Sequence, residues 1–293
     1  MAITRNEPLF QGVEVSGKSN HSNAGMKTAI ALSLILVVAA QAVHWAKMQS
    51  YRNGNTRPLY QVMIVINPGL QSAICGGSLI KQDKVLTLAH CCLGGTSFAV
   101  YLGTNNRDNS EITQKVVGSE RATIHERYNA SSNANDLCII HLDREVRGQD
   151  ITTIRLPSRS QVAVTFERQK ALVSGWNLTK IDENITKVIM LQAEVTIILN
   201  NVCKKVYPQF TGTETLCAYA SRGDDCDYGH IPGMLTIFEF DGVETQIGIG
   251  SYGPPEIEEA AAGDCGSRLP DVYVRLTEYL DWIEKWTGVT IRP

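Results

Sequence analysis

The sequence predicts an all-β chain that closes on one helix, and three observations carry that reading. From Leu59 onward, short runs of β-branched and apolar residues alternate with clusters of Gly, Asn, Asp and Pro, the spacing of an antiparallel barrel or sandwich. The last segment changes period, with Tyr279, Leu280, Ile283 and Trp286 at i, i+1, i+4 and i+7. Eight cysteines, an even number, follow a secretion-type leader and so read as a disulfide framework.

The strand runs, in order, are Tyr60–Ile66, Lys84–Leu88, Ser97–Leu102, Leu172–Trp176, Val188–Ile197 and Gln246–Ile249. The terminal helix is expected over about 277–287, with Thr277 placed to cap its start and Gly288 just past its end. With 293 residues, 43% of them hydrophobic, the chain buries a full core in one large or two small domains. A net charge of -3 and a pI near 6.1 give no overall pull toward nucleic acid or acidic membranes, so partners have to be argued locally.

Residues 1–25 form a polar extension. At 26–42, Met26-Lys27 leads into an apolar stretch that ends on Ala40-Gln41-Ala42, the small-x-small pattern of a signal-peptide cleavage site. The competing reading takes residues 28–46 as an uncleaved anchor. That run of about 19 residues, interrupted by Gln41 and His44, is marginal for crossing the hydrocarbon core. Cleavage is the preferred reading, which makes the protein secreted and extracellular. Three acceptor patterns, at Asn129, Asn177 and Asn184, are then expected to mark exposed, glycosylated loops.

The chemistry gathers around Val85-Leu-Thr-Leu-Ala-His90-Cys91-Cys92, where an apolar run delivers one imidazole to a turn pinned by cysteines. Upstream stands Cys75-Gly-Gly-Ser-Leu-Ile80. Downstream stand His125-Glu-Arg-Tyr128, Asn135-Asp136-Leu-Cys-Ile-Ile140, Pro270-Asp-Val-Tyr273 and Tyr279-Leu-Asp-Trp-Ile283. Together with the His90 stretch, these five segments resemble the trypsin-like serine proteases over about residues 51–290, and most closely the secreted, non-catalytic protease homologues of insects.

The resemblance implies two six-stranded antiparallel β-barrels, at about 56–147 and 169–275, with a seam around 148–168 and the C-terminal helix. It also implies three disulfides: Cys75 with Cys91, Cys203 with Cys217, and Cys226 with Cys265. Cys92 follows the His90 turn and Cys138 lies two residues after Asp136, so these leftovers are expected to pair. No thiol then remains for a metal, and no metal or other cofactor is expected.

In this family a hydroxyl nucleophile works with an imidazole base and a buried carboxylate, and His90 and Asp136 match the last two roles. The nucleophile belongs to a Cys-x-Gly-Asp-Ser-Gly-Gly-Pro segment. Here the corresponding stretch is Cys226-Asp-Tyr-Gly-His230-Ile-Pro-Gly-Met-Leu235. An ungapped count puts His230 at the nucleophile position, and a register matched on Pro232 puts Gly229 there. Tyr228 replaces the glycine whose backbone N–H builds the oxyanion hole. The activation latch is missing too, since no Ile-Val-Gly-Gly stands near Ser50–Gly54 and Gly229 takes the place of the aspartate that receives the new N-terminus. Gly263-Asp-Cys265-Gly-Ser267 imitates the motif with a cysteine, but only about ten residues separate it from the terminal segment, too few for the two strands that follow the nucleophile.

Asp224 matches the base of the primary specificity pocket, and Ser251-Tyr-Gly253 matches the strand that pairs with substrate. Asp271 replaces a pocket glycine, and a second carboxylate beside Asp224 narrows the space and repels it. An enlarged acidic loop, Glu256 to Asp264, is a candidate lip for a protein partner with a basic segment. Arg222-Gly223-Asp224 spells an adhesion tripeptide, a weak signal on its own. The expectation is a secreted protease homologue without the catalytic serine, acting by protein binding as a decoy or cofactor of proteolytic cascades. The alternatives are an active endopeptidase with a displaced nucleophile such as Ser221, and an adhesion ligand.

Overall fold

In a computed structural model of the chain, the described residues are 58–67, 73–103, 114–180, 186–209, 212–220, 233–253 and 269–293, without the side chains of 177–180, 186–189, 191 and 220. The first sheet contains β1 (Gln61–Ile66), β2 (Ala73–Lys81), β3 (Lys84–Thr87), β4 (Phe98–Leu102), β5 (Lys115–Ser119), β6 (Arg121–Ile124) and β7 (Cys138–His141), in the order β5-β4-β1-β2-β3-β7-β6. All neighbours are antiparallel. In β4 the side chains of Phe98, Val100 and Leu102 point inward while those between them are half-buried, the period of two that the sequence shows.

This sheet has seven strands, not the six expected, and the reason is a corner. Its two edge strands, β5 and β6, are consecutive in the chain with Glu120 alone between them. At the bend the Ser119 hydroxyl donates to the His141 carbonyl at 2.6 Å and accepts the Arg121 N–H at 3.1 Å. A side chain thus substitutes for the ladder where the backbone turns, and one bent outer strand becomes two short ones.

The second sheet is a closed six-stranded barrel. Its strands are β8 (Lys170–Lys180), β9 (Thr186–Ile198), β10 (Thr215–Ala220), β11 (Met234–Phe238), β12 (Glu244–Tyr252) and β13 (Asp271–Arg275), in the order β10-β13-β12-β11-β8-β9. The strandless segment from Leu142 to Gln169 connects the sheets. The larger apolar cluster joins first-sheet residues such as Ile64, Leu86 and Ile140 to Met234, Ile249 and Val274 of the barrel, so the two sheets share a core.

The terminal helix begins a turn later than its periodicity suggests. Leu276–Tyr279 form a 3-10 turn and the α-helix runs over Leu280–Thr287, with Tyr279 rather than Thr277 at its N-cap. The Thr277 hydroxyl is taken by the buried Arg275 guanidinium, which donates to it at 2.7 Å and to the carbonyls of Val162 and Val164. Gly288 closes the helix at φ 62, the left-handed conformation glycine adopts without strain. Leu280 and Ile283 are buried, while Trp286 sits at the rim and donates its indole N–H to Glu126 at 3.1 Å. No helix among the described residues is long and apolar enough to cross a membrane.

Candidate active site

β3 ends at Thr87, whose hydroxyl donates to the Gly76 carbonyl at 2.8 Å, and the chain then makes one helical turn, Ala89–Cys92. Two disulfides hold that turn from opposite sides. Cys75–Cys91 ties it to β2, and Cys92–Cys138 ties it to the first residue of β7. The pairing of Thr87 with Cys138 brings the turn level with Asp136. His90 meets Asp136 twice: its backbone N–H donates to Oδ1 at 3.0 Å, and its Nδ1 lies 2.8 Å from Oδ2. Ser251 of β12 donates its hydroxyl to the same Oδ2 at 2.6 Å.

Asp136 is wholly buried, whereas the His90 side chain keeps 37% of its exposure. With Nδ1 directed at an acceptor-only carboxylate, the proton belongs on Nδ1 and Nε2 is the basic nitrogen. The pair can therefore take a proton from a hydroxyl presented at Nε2. Cys75, His90 and Cys91 lie close enough to suggest a metal cluster, but the two sulfurs are joined in a disulfide and offer no thiolate.

The supporting shell is aromatic. His125, 5% exposed, packs against Tyr279 and Trp282 at centroid distances of 5.4 and 5.0 Å. Its Nδ1 accepts the Arg127 N–H at 3.2 Å, and burial pushes its pKa below the usual imidazole value. Burial, reinforced by the Asp136 charge, raises the Tyr128 phenol.

On the barrel side, Asp271 begins β13 and pairs with Ala218 of β10. Tyr207 donates to the Pro270 carbonyl at 2.6 Å and meets Tyr252 edge to face at 5.5 Å. Burial, followed by the Asp271 charge, pushes Tyr207 up to about 12, and burial pushes Tyr252 to about 12. The third described bridge, Cys203–Cys217, packs beneath these rings with Val272.

The structure thus joins His90, Asp136 and Ser251 in one network and sets Asp271 among the tyrosines, with Gly253 directly after β12. Asp224, Gly229, His230, the Cys226–Cys265 pair, Asn184, the 26–42 leader and the loop from Glu256 to Asp264 lie outside the described residues. Sequence reasoning read Ser251 as part of a substrate-pairing strand and missed its bond to Asp136, which spans 115 residues and has no local signal.

Residues 48–283 match the family described as Trypsin. The chain belongs to the trypsin family. It is 37% identical over 227 residues to chymotrypsin from Phaedon cochleariae, covering 77% of this chain and 76% of that one. To collagenase from Hypoderma lineatum it is 30% identical over 281 residues, with 90% and 99% covered. Brachyurin from Leptuca pugilator is 34% identical, with coverage of 74% and 88%. Among solved structures, HL collagenase superposes with a TM-score of 0.64 at 31% identity, over 80% of this chain and 95% of that one. The two-sheet architecture with a C-terminal helix is therefore the trypsin fold.

Proposed function

We propose that this trypsin-family chain is a secreted protein that has lost the catalytic serine and acts by binding other proteins. One observation carries the reading. The base and its carboxylate are assembled, yet the stretch Cys226-Asp-Tyr-Gly-His-Ile-Pro-Gly233 contains no serine. The far end of that stretch is anchored beside the site, because the Gly233 carbonyl accepts the N–H of Gly250, the residue before Ser251. Counted without gaps from Cys226 the nucleophile position is His230, and a register matched on Pro232 gives Gly229, neither of which carries a hydroxyl.

Losing the nucleophile of such a triad costs on the order of a millionfold in rate, or roughly 8 kcal/mol of barrier; the measured series behind that figure comes from subtilisin, a different fold. Secretion is supported by the 26–42 leader and by three disulfides among the described residues. The acidic run Glu256–Asp264 favours a partner with a basic segment.

The names of the relatives, chymotrypsin and collagenase among them, favour a second reading in which a displaced nucleophile keeps the chain an active endopeptidase. Intact mass of the purified protein before and after excess fluorophosphonate, beside an active trypsin, separates the two. The binding reading expects no adduct on folded protein. A stoichiometric adduct overturns it and identifies an activated serine.

A further inference from the structure

Asn129 stands in the loop that delivers Asp136. The His125 N–H donates to the Leu137 carbonyl at 2.9 Å, the Asn129 N–H to Ala134 at 3.0 Å, and the Asn135 side-chain amide to Arg127 at 3.0 Å. Residues 125–137 are thereby closed into a hairpin with the catalytic-type carboxylate at its end. Asn129 and Ala134 form an antiparallel bridge, with Cα atoms about 5 Å apart by the geometry of such pairs. Asp136 follows two residues later, at most about 7 Å further along the chain. The Asn129 Cα is therefore within about 12 Å of that of Asp136.

Asn129, Ala130 and Ser131 are all exposed and form an acceptor triplet. The Asn129 Oδ1 accepts the Ser131 N–H at 2.9 Å, while Nδ2 makes no hydrogen bond to another described residue.

We propose that Asn129 carries an N-linked oligosaccharide that screens one side of the exposed His90 ring. Small molecules pass it, whereas protein-sized partners are turned away from that side. The inference rests on the secretion proposed above, since the sugar is added in the secretory pathway. In the transfer, Nδ2 bonds to the anomeric carbon of a lipid-pyrophosphate-linked oligosaccharide. The carbon–oxygen bond to pyrophosphate breaks, its electron pair leaves with the lipid pyrophosphate, and the amide proton passes to a base of the transferase.

The test expresses the full chain in secreting eukaryotic cells, as it stands and with an unrelated secretion signal placed before Met1. Peptide mapping after enzymatic deglycosylation in heavy-oxygen water is expected to mark Asn129. A Fab selected on the Ser131→Ala protein, and weakened by His90→Ala, is expected to associate with the glycosylated protein at least tenfold more slowly than with Ser131→Ala. Carbethoxylation of His90 by diethyl pyrocarbonate should proceed equally in both. An unmodified Asn129 in protein secreted through the unrelated signal, or equal Fab association rates, overturns the proposal. Modification with the unrelated signal alone keeps the acceptor and overturns native secretion.

Discussion

Ser251 and His90 share one oxygen of Asp136, at 2.6 and 2.8 Å, although one comes from the barrel and the other from the first sheet. The carboxylate is a joint between the two sheets as well as a partner of the imidazole. Replacing Ser251 with Ala removes one donor from a fully buried acceptor, which costs about 1–3 kcal/mol. Urea unfolding should show that loss, with the imidazole chemical shifts of His90 displaced because its carboxylate partner has lost a neighbour. Unchanged stability together with unchanged His90 chemical shifts would remove Ser251 from the network.

The two disulfides beside the site and under the tyrosines should differ in weight. Cys92–Cys138 closes a separation of 46 residues and Cys203–Cys217 one of 14, so chain entropy assigns them roughly 4 and 3 kcal/mol. Paired Cys→Ala variants are expected to lower the unfolding free energy in that order. The first should also broaden or shift the His90 resonance, because the bridge fixes the turn that carries it. A reversed order, or an undisturbed His90 in the first variant, would count against this division of labour.

The legible parts of this molecule were those whose signals lie close together in sequence. The apolar run into His90-Cys91-Cys92 and the Asn135-Asp136-Leu-Cys138 segment mark two chain ends that a bridge brings level, and the structure places both at one site. The parts that escaped depend on distant partners. Thr277 reads as a helix cap until Arg275, held by the carbonyls of Val162 and Val164, claims its hydroxyl. The corner at Glu120 needs the His141 carbonyl of a neighbouring strand to become visible. The helix Asn200–Val206 is too short to show a period, although it carries Cys203 to its bridge.

His125 should make stability depend on pH in a defined direction. Burial holds its folded-state pKa below the ordinary 6.5, and its Nδ1 accepts the Arg127 N–H only while unprotonated. Between the two pKa values the unfolded chain binds the extra proton, so this contribution is present above pH 6.5 and is lost as pH falls toward the folded value. The loss is at most about 1.4 kcal/mol per pH unit from this group. His125→Phe, which keeps a ring against Tyr279 and Trp282, is expected to flatten the difference in unfolding free energy between pH 7 and pH 5. An equal slope in variant and wild type would exclude His125 as its source.

Gly233 gives the last test, because its carbonyl takes the N–H of Gly250 and it stands directly before β11. A Cβ built there would stand 2.4 Å from the Val173 side chain and 3.3 Å from the Ser174 carbonyl. Valine is stiff at χ1 and the carbonyl belongs to a paired strand, so neither yields without strain. Gly233→Ala is therefore expected to destabilise the protein by about 1–3 kcal/mol, the usual range for overpacking. Trimming the obstacle tests the cause: Val173→Ala in the same chain should recover most of the difference, a coupling that independent sites do not show. Additive losses in the double variant would place the strain in the backbone at Ser174 and not in the contact with Val173.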